Sequence, residues 1–122
     1  MKLDLELCRK ILKVIQEEDY EEYYEGAIEI QGYTKKEIFY QIQKMSEAGY
    51  VGYEAPTGYM DENFSIDISF QGHGFLSEML NDSIWNATTE LIKKKGGVLT
   101  FEIVKAFIPI AIKNVLGINV NG

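Results

Sequence analysis

Residues 32–70 constrain the fold more than any other part of the chain. They read GYTKKEIFYQIQKMSEAGYVGYEAPTGYMDENFSIDISF. Thr34 has the position of an N-cap with Glu37 three residues on, the spacing of a capping box, and Tyr33 and Ile38 flank it as a hydrophobic staple. Ile38, Ile42, Met45 and Gly49 recur at helical spacing and mark the buried side of a helix over 34–48. Gly49 supplies the left-handed residue that stops it. Two strands follow, YVGYEA at 50–55 and FSIDISF at 64–70. In the second, Phe64, Ile66, Ile68 and Phe70 alternate with Ser65, Asp67 and Ser69, as in a sheet with one wet face. Pro56, Gly58 and Asn63 give the connector its turn chemistry.

Upstream, Leu3, Leu7, Cys8, Ile11, Leu12 and Ile15 form an apolar stripe, and Asp4 is a suitable N-cap, which predicts a helix over about 4–18. The acidic and aromatic run EEDYEEYYE at 17–25 reads as a solvated helix end and loop, or as a negative surface with aromatic anchors. AIEIQ at 27–31 alternates and predicts a short edge strand. Helix, short strand, helix and two-stranded wing is the outline of an α+β, winged helix-turn-helix-like domain. Between a strand at 27–31 and a helix starting at Thr34, no room is left for the first helix of the usual helix-turn-helix pair. The expected organisation is a winged-helix core over 1–76 and a helical extension over 77–122, packed on the core or on a second subunit.

In the extension, residues 71–80 read as a helix entered directly from the second wing strand. Asp82 can cap a further helix over 83–95 that contains Trp85, Leu91 and Ile92, with Lys93, Lys94 and Lys95 complementing the dipole of its last turn. The last helix, about 100–116, is apolar nearly all round, and Pro109 is expected to kink it or end its first half. It is too short in uncharged residues to span a membrane. Either the rest of the monomer wraps it or a second copy covers it, and the second arrangement makes the protein a homodimer through Phe101, Val104, Phe107, Ile108 and Ile112.

The formal charge is −7. Residues 1–30 hold nine acids and four bases, residues 31–55 three of each, and residues 56–76 three acids and no base. Nucleic-acid binders draw most of their non-specific affinity from clustered Lys and Arg, so this balance disfavours DNA as a partner. The outward face of the 34–48 helix still offers Lys35, Lys36, Tyr40, Gln43 and Lys44, the residue types that reach phosphates and base edges. Tyr20, Tyr23 and Tyr24 are the anchors of the alternative surface, one that meets a protein. The connector's Asp61 and Glu62 suit a structural role or a protein-facing one.

Chemistry has little to work with. Cys8 lies on an apolar stripe with no cation in the local sequence to activate it. His73, the single histidine, has no second histidine or compact acid cluster beside it, and a buried or capping role is expected of it. Gly72-His73-Gly74 lacks the spacing of a phosphate loop. No catalytic residue, metal ligand or cofactor is expected, and the chain is not read as an enzyme. A single cysteine and the absence of a basic-then-apolar leader lead to the expectation of a cytoplasmic protein with no membrane association.

The MKLD opening, the segment IQGYTKKEI at 30–38, AGYV at 48–51, GHGFL at 72–76, then Asp82, Trp85 and the KKGG step into an aliphatic helix resemble a family of bacterial and prophage proteins, domain of unknown function 2513. The resemblance implies a winged-helix fold in a bacterial or phage cytoplasm and carries over no functional residues. Two functions remain open. One is a DNA-binding transcriptional regulator working as a dimer. The other is an acidic protein-interaction module, a phage or mobile-element factor that binds a host protein and no DNA.

Overall fold

A computed structural model describes residues 1–17 and 23–117. Their elements are α1 (Leu5–Glu17), β1 (Tyr23–Glu25), α2 (Lys35–Glu47), β2 (Val51–Glu54), β3 (Ser65–Ile68), α3 (Phe70–Met79), α4 (Asp82–Lys94) and α5 (Phe101–Leu116). The described residues are α+β, with five helices and one small antiparallel sheet. It divides into two compact units, Met1–Gly74 and Phe75–Gly122.

In the first unit the local signals act as their chemistry dictates. The Asp4 carboxylate accepts from the Leu7 N–H (3.1 Å) and opens α1, whose buried stripe is Leu5, Leu7, Cys8, Ile11, Leu12 and Ile15. The capping box of α2 is closed in both directions, Glu37 N–H to Thr34 Oγ1 (3.1 Å) and Thr34 N–H to Glu37 Oε1 (3.2 Å). Ile38, Ile42 and Met45 are buried, and Gly49 ends the helix at φ +86°. Gln41 is buried among them. It accepts from the Asp4 N–H (2.9 Å) and donates to the Lys2 carbonyl (2.8 Å), which ties the start of α1 to the middle of α2.

The sheet order is β1-β3-β2. Tyr23, Asp67 and Gly52 share one row, Tyr24, Ile66 and Tyr53 the next, and Glu25, Ser65 and Glu54 the third. Because side chains alternate across a strand, the middle row faces the core with Val51 and Ile68, and the other two rows face solvent. Phe64, fully buried beneath β3, stacks on Tyr53 (centroids 5.8 Å) and meets Phe39 edge-on (5.9 Å).

Two sequence expectations fail here for stated reasons. The edge strand is Tyr23–Glu25, not 27–31. Glu25 pairs with Ser65, where β3 begins, and the Gly26 N–H takes the Phe64 carbonyl at 2.7 Å. Beyond that point the opposing chain turns away, so 27–31 finds no partner. The chain leaves the sheet through Gly26 (φ +96°), buries Ile28 without a ladder, and turns at Gly32 (φ +90°). Residues 26–34 contain neither helix nor strand. Phe70 breaks the alternation and is 97% exposed as the first residue of α3. Ser69 explains it: its Oγ accepts from the Gly72 N–H (2.9 Å), so the repeat changes from two to 3.6 at that residue.

In the second unit α4 is capped by Asn81, not Asp82, since Asn81 Oδ1 accepts from the Ile84 N–H (3.0 Å) while Asp82 occupies the first helical position. Trp85, Thr88, Thr89 and Ile92 form its buried side. Thr100 caps α5 through the Ile103 N–H (3.1 Å), and the helix runs through Pro109 to Gly117 without ending. Pro109 lies on the exposed side of the helix. No helix among the described residues is long and apolar enough to cross a membrane.

Candidate interaction surfaces

The outer face of the sheet is the most distinctive surface of the first unit. Glu25, Glu54 and Asp67 stand on it with Tyr23 and Ser65, and its two outward rows contain no base. Gly52 occupies the middle of one row. A Cβ there would lie 3.0 Å from Asp67 Oδ1, so glycine leaves a hollow of about 420 Å³ between Tyr23, Tyr53, Glu54, Ser65 and Asp67. Tyr23 is 43% exposed beside it. Like charges gathered on a sheet face oppose folding unless a counter-charge arrives.

The expected face of α2 is present but weaker as a cation source than its sequence suggests. Lys35, Lys36 and Gln43 are exposed, and Tyr40 and Lys44 are partly exposed. Lys44 Nζ lies 3.3 Å from Glu47 Oε2 and 5.3 Å from the Tyr40 ring centroid, so both a carboxylate and a π face already engage its charge.

The connector between β2 and β3 folds around Asp61. Thr57 Oγ1 donates to its carboxylate at 2.6 Å and the Asn63 N–H at 2.9 Å, while its own carbonyl accepts from the Phe64 N–H at 3.1 Å. The Thr57 hydroxyl, then the Asn63 amide, and more distantly Lys35 hold the carboxyl below its usual range. This acid organises its own loop. The loop in turn sets Met60, which is buried, and Tyr59, 73% exposed, against Lys35, Lys36 and Phe39 around a cavity of about 260 Å³.

The remaining sequence candidates are dispersed. Tyr20 lies outside the described residues. Tyr24 faces inward and donates its hydroxyl to the Ala27 carbonyl (3.3 Å). Phe101, Val104 and Ile108 are buried with Ala111, Phe107 and Ile112 are partly exposed, and the open side of α5 carries Ile110, Val115 and Leu116. Phe101 meets Phe75 edge-on at 6.3 Å within the second unit. Of the two roles expected of His73, buried or capping, burial does not hold, since it is exposed on α3.

Burial, and then the Asp4 carboxylate, push the Cys8 thiol from 9.0 up to about 12. The sign follows from linkage: the folded chain holds this proton more tightly than the unfolded one. The resulting stabilisation is complete below pH 9 and disappears as the pH rises toward 12. A thiol reagent at about pH 8 is therefore expected to leave the native chain unmodified and to react fully in denaturant. Rapid reaction of the native chain would contradict this placement. Among the described residues no group of three or more His, Cys, Asp and Glu side chains is arranged to hold a metal ion.

Sequence reasoning missed the hollow at Gly52 and the cavity under Tyr59. Alternation along the two wing strands does put Glu54 and Asp67 on outward positions, but only β1 and the register bring Glu25 to the same face. The sequence model of one family, described as hypothetical protein (DUF2513), matches residues 2–98. No curated protein and no solved structure matches the chain.

Proposed function

We propose, for a chain that belongs to the DUF2513 family, a non-catalytic winged-helix module of bacterial or phage origin that docks a basic segment of a partner protein on the outer face of its sheet. The winged-helix reading is supported by the order α1, β1, α2, β2, β3 and by the strand order β1-β3-β2. The loop at 26–34 stands where the first helix of a helix-turn-helix pair would be. That helix normally fixes the recognition helix against a phosphate backbone, so DNA reading loses its usual positioning element.

The observation that carries the proposal is the row pair Tyr23–Asp67–Gly52 and Glu25–Ser65–Glu54: three carboxylates and an exposed tyrosine share one sheet face with no base among them, and two of the carboxylates, Glu54 and Asp67, line a glycine hollow. Residues 1–74 as a whole hold fifteen acids and seven bases. Such a surface attracts Lys and Arg from a distance and repels a phosphate backbone.

A second reading, DNA binding by α2, keeps the support of one observation, the exposure of Lys35, Lys36 and Gln43 on a single helix. In either reading the open side of α5, with Ile110, Val115 and Leu116, is the surface on which a second copy would pack to make a dimer.

Anisotropy titration of a labelled Arg- and Lys-rich peptide tests the first reading. Neutralising the face with Glu25→Gln, Glu54→Gln and Asp67→Asn together is expected to weaken binding about tenfold or more, and added salt to weaken it further. Binding that is equal in the neutralised and the original chain would refute it.

A further inference from the structure

The cavity between the first turn of α2 and the β2–β3 connector differs from the sheet face in every chemical respect. It is lined by Phe39, Tyr59 and Met60 with Lys35 and Lys36, and its surface is almost wholly apolar, so the two lysines border it with their aliphatic stems. From this we propose a second docking site, one that takes an acidic peptide segment of a partner protein by burying a single large apolar side chain between flanking carboxylates.

The size of the cavity selects the occupant. At about 260 Å³ it falls below the range of roughly 300–1,000 Å³ typical of cofactor and drug-sized ligands, and it suits one aromatic or aliphatic side chain. The walls are built in advance. Phe39 is held edge-on by Tyr53 (5.6 Å) and by Phe64 (5.9 Å), and the hydrogen bonds of Asp61 to Thr57 and Asn63 fix the connector on which Tyr59 and Met60 sit. Met60 brings an adaptable thioether to the floor, and Tyr59, 73% exposed, offers an aromatic face still to be covered.

Charge complementarity selects the partner. Lys35 and Lys36 are both exposed at the positive end of the α2 dipole, and the carboxylate nearest in sequence on the helix, Glu37, is turned back into the capping box. Two cations on an apolar hollow match one or two carboxylates beside an anchor side chain. They match a nucleic acid poorly. A polyanion must meet many cations at once, and only two, Lys35 and Lys36, border this cavity.

The test is an amide chemical-shift titration of the whole chain with the capped peptide Asp-Glu-Phe-Glu-Asp. Lys-Lys-Phe-Lys-Lys and a short single-stranded oligonucleotide are run in parallel. Expected are saturable shifts confined to residues 35–39 and 59–60 for the acidic peptide. Binding should weaken about tenfold in Lys35→Glu/Lys36→Glu and stay unchanged in Lys93→Glu/Lys94→Glu, an equal change of charge on α4. Because all four lysines are exposed, both variants are expected to fold. Tyr59→Ala, also at an exposed position, should weaken binding without any change of charge. The proposal is overturned by the absence of saturable shifts at millimolar peptide or by shifts centred elsewhere. Equal binding of the basic peptide, or tighter binding of the oligonucleotide at these residues, would overturn it too.

Discussion

Gly72→Ala is expected to destabilise the first unit by about 2–4 kcal/mol, whereas Gly74→Ala, two residues on in the same helix, is expected to be neutral or to stabilise by up to about 1 kcal/mol. The difference is purely local. A Cβ at Gly72 would sit 2.3 Å from the Tyr50 carbonyl oxygen and 3.1 Å from the Tyr50 Cα, both backbone atoms with no rotamer to yield. At Gly74 nothing lies within 4 Å, so only the helix preference of alanine over glycine is felt. Relief at Gly72 requires moving the start of α3, and the bonds of Ser69 resist that movement. Its N–H donates to the Tyr50 carbonyl (2.9 Å), its hydroxyl donates to the Gly49 carbonyl (2.6 Å), and its Oγ receives the Gly72 N–H (2.9 Å). Urea unfolding followed by circular dichroism separates the two variants. Equal stability of the two would show that α3 does not start against Tyr50.

Phe64→Ala is expected to cost about 3–5 kcal/mol, the usual loss for a fully buried aromatic ring and a large part of what a domain of this size has to lose. Phe64 is fully buried, is the partner of both Phe39 and Tyr53, and lends its carbonyl to Gly26 where β1 leaves the sheet. Phe70→Ala, at a position 97% exposed, should change stability by no more than about 0.5 kcal/mol. Both midpoints come from the same denaturant series, read at constant slope. A cost at Phe70 comparable with that at Phe64 would contradict the end of β3 at Ile68.

That pair also shows how far the sequence could be read. Phe64 and Phe70 are equivalent in the alternation, and only the cap at Ser69 tells them apart. The signal was there, a serine three residues ahead of Gly72, but it competed with a longer and cleaner period of two. Where one chemical rule governs a position, the reading held, as at the capping box of Thr34 and Glu37, the stop at Gly49 and the stripe of α1. It failed where the partner decides. Residues 27–31 alternate like a strand, yet the antiparallel partner has run out by Phe64. Asn81 and Asp82 are both good caps, and the choice between them follows from where the helix begins.

The candidate surfaces were less legible for the same reason. Glu54 and Asp67 could be assigned outward from alternation, whereas Glu25 lies in a run read as a helix end and loop; their gathering on one face depends on register, and the hollow depends on the close approach at Gly52. Gln41, a polar residue within α2, is buried, and its amide serves two backbone groups near Met1, the Asp4 N–H and the Lys2 carbonyl. On α2, the partners of Lys44, namely Glu47 and the Tyr40 ring, follow from packing and not from the pattern of lysines.

The most direct test of the proposed role follows amide shifts of the chain while an Arg-rich peptide and then a DNA duplex are added at low salt. Docking on the sheet predicts saturable shifts at Tyr23, Glu25, Gly52, Glu54 and Asp67 with the peptide, and none at Lys35, Lys36, Tyr40, Gln43 and Lys44 with the duplex. Saturable duplex shifts along α2, with the sheet face silent toward the peptide, would contradict it.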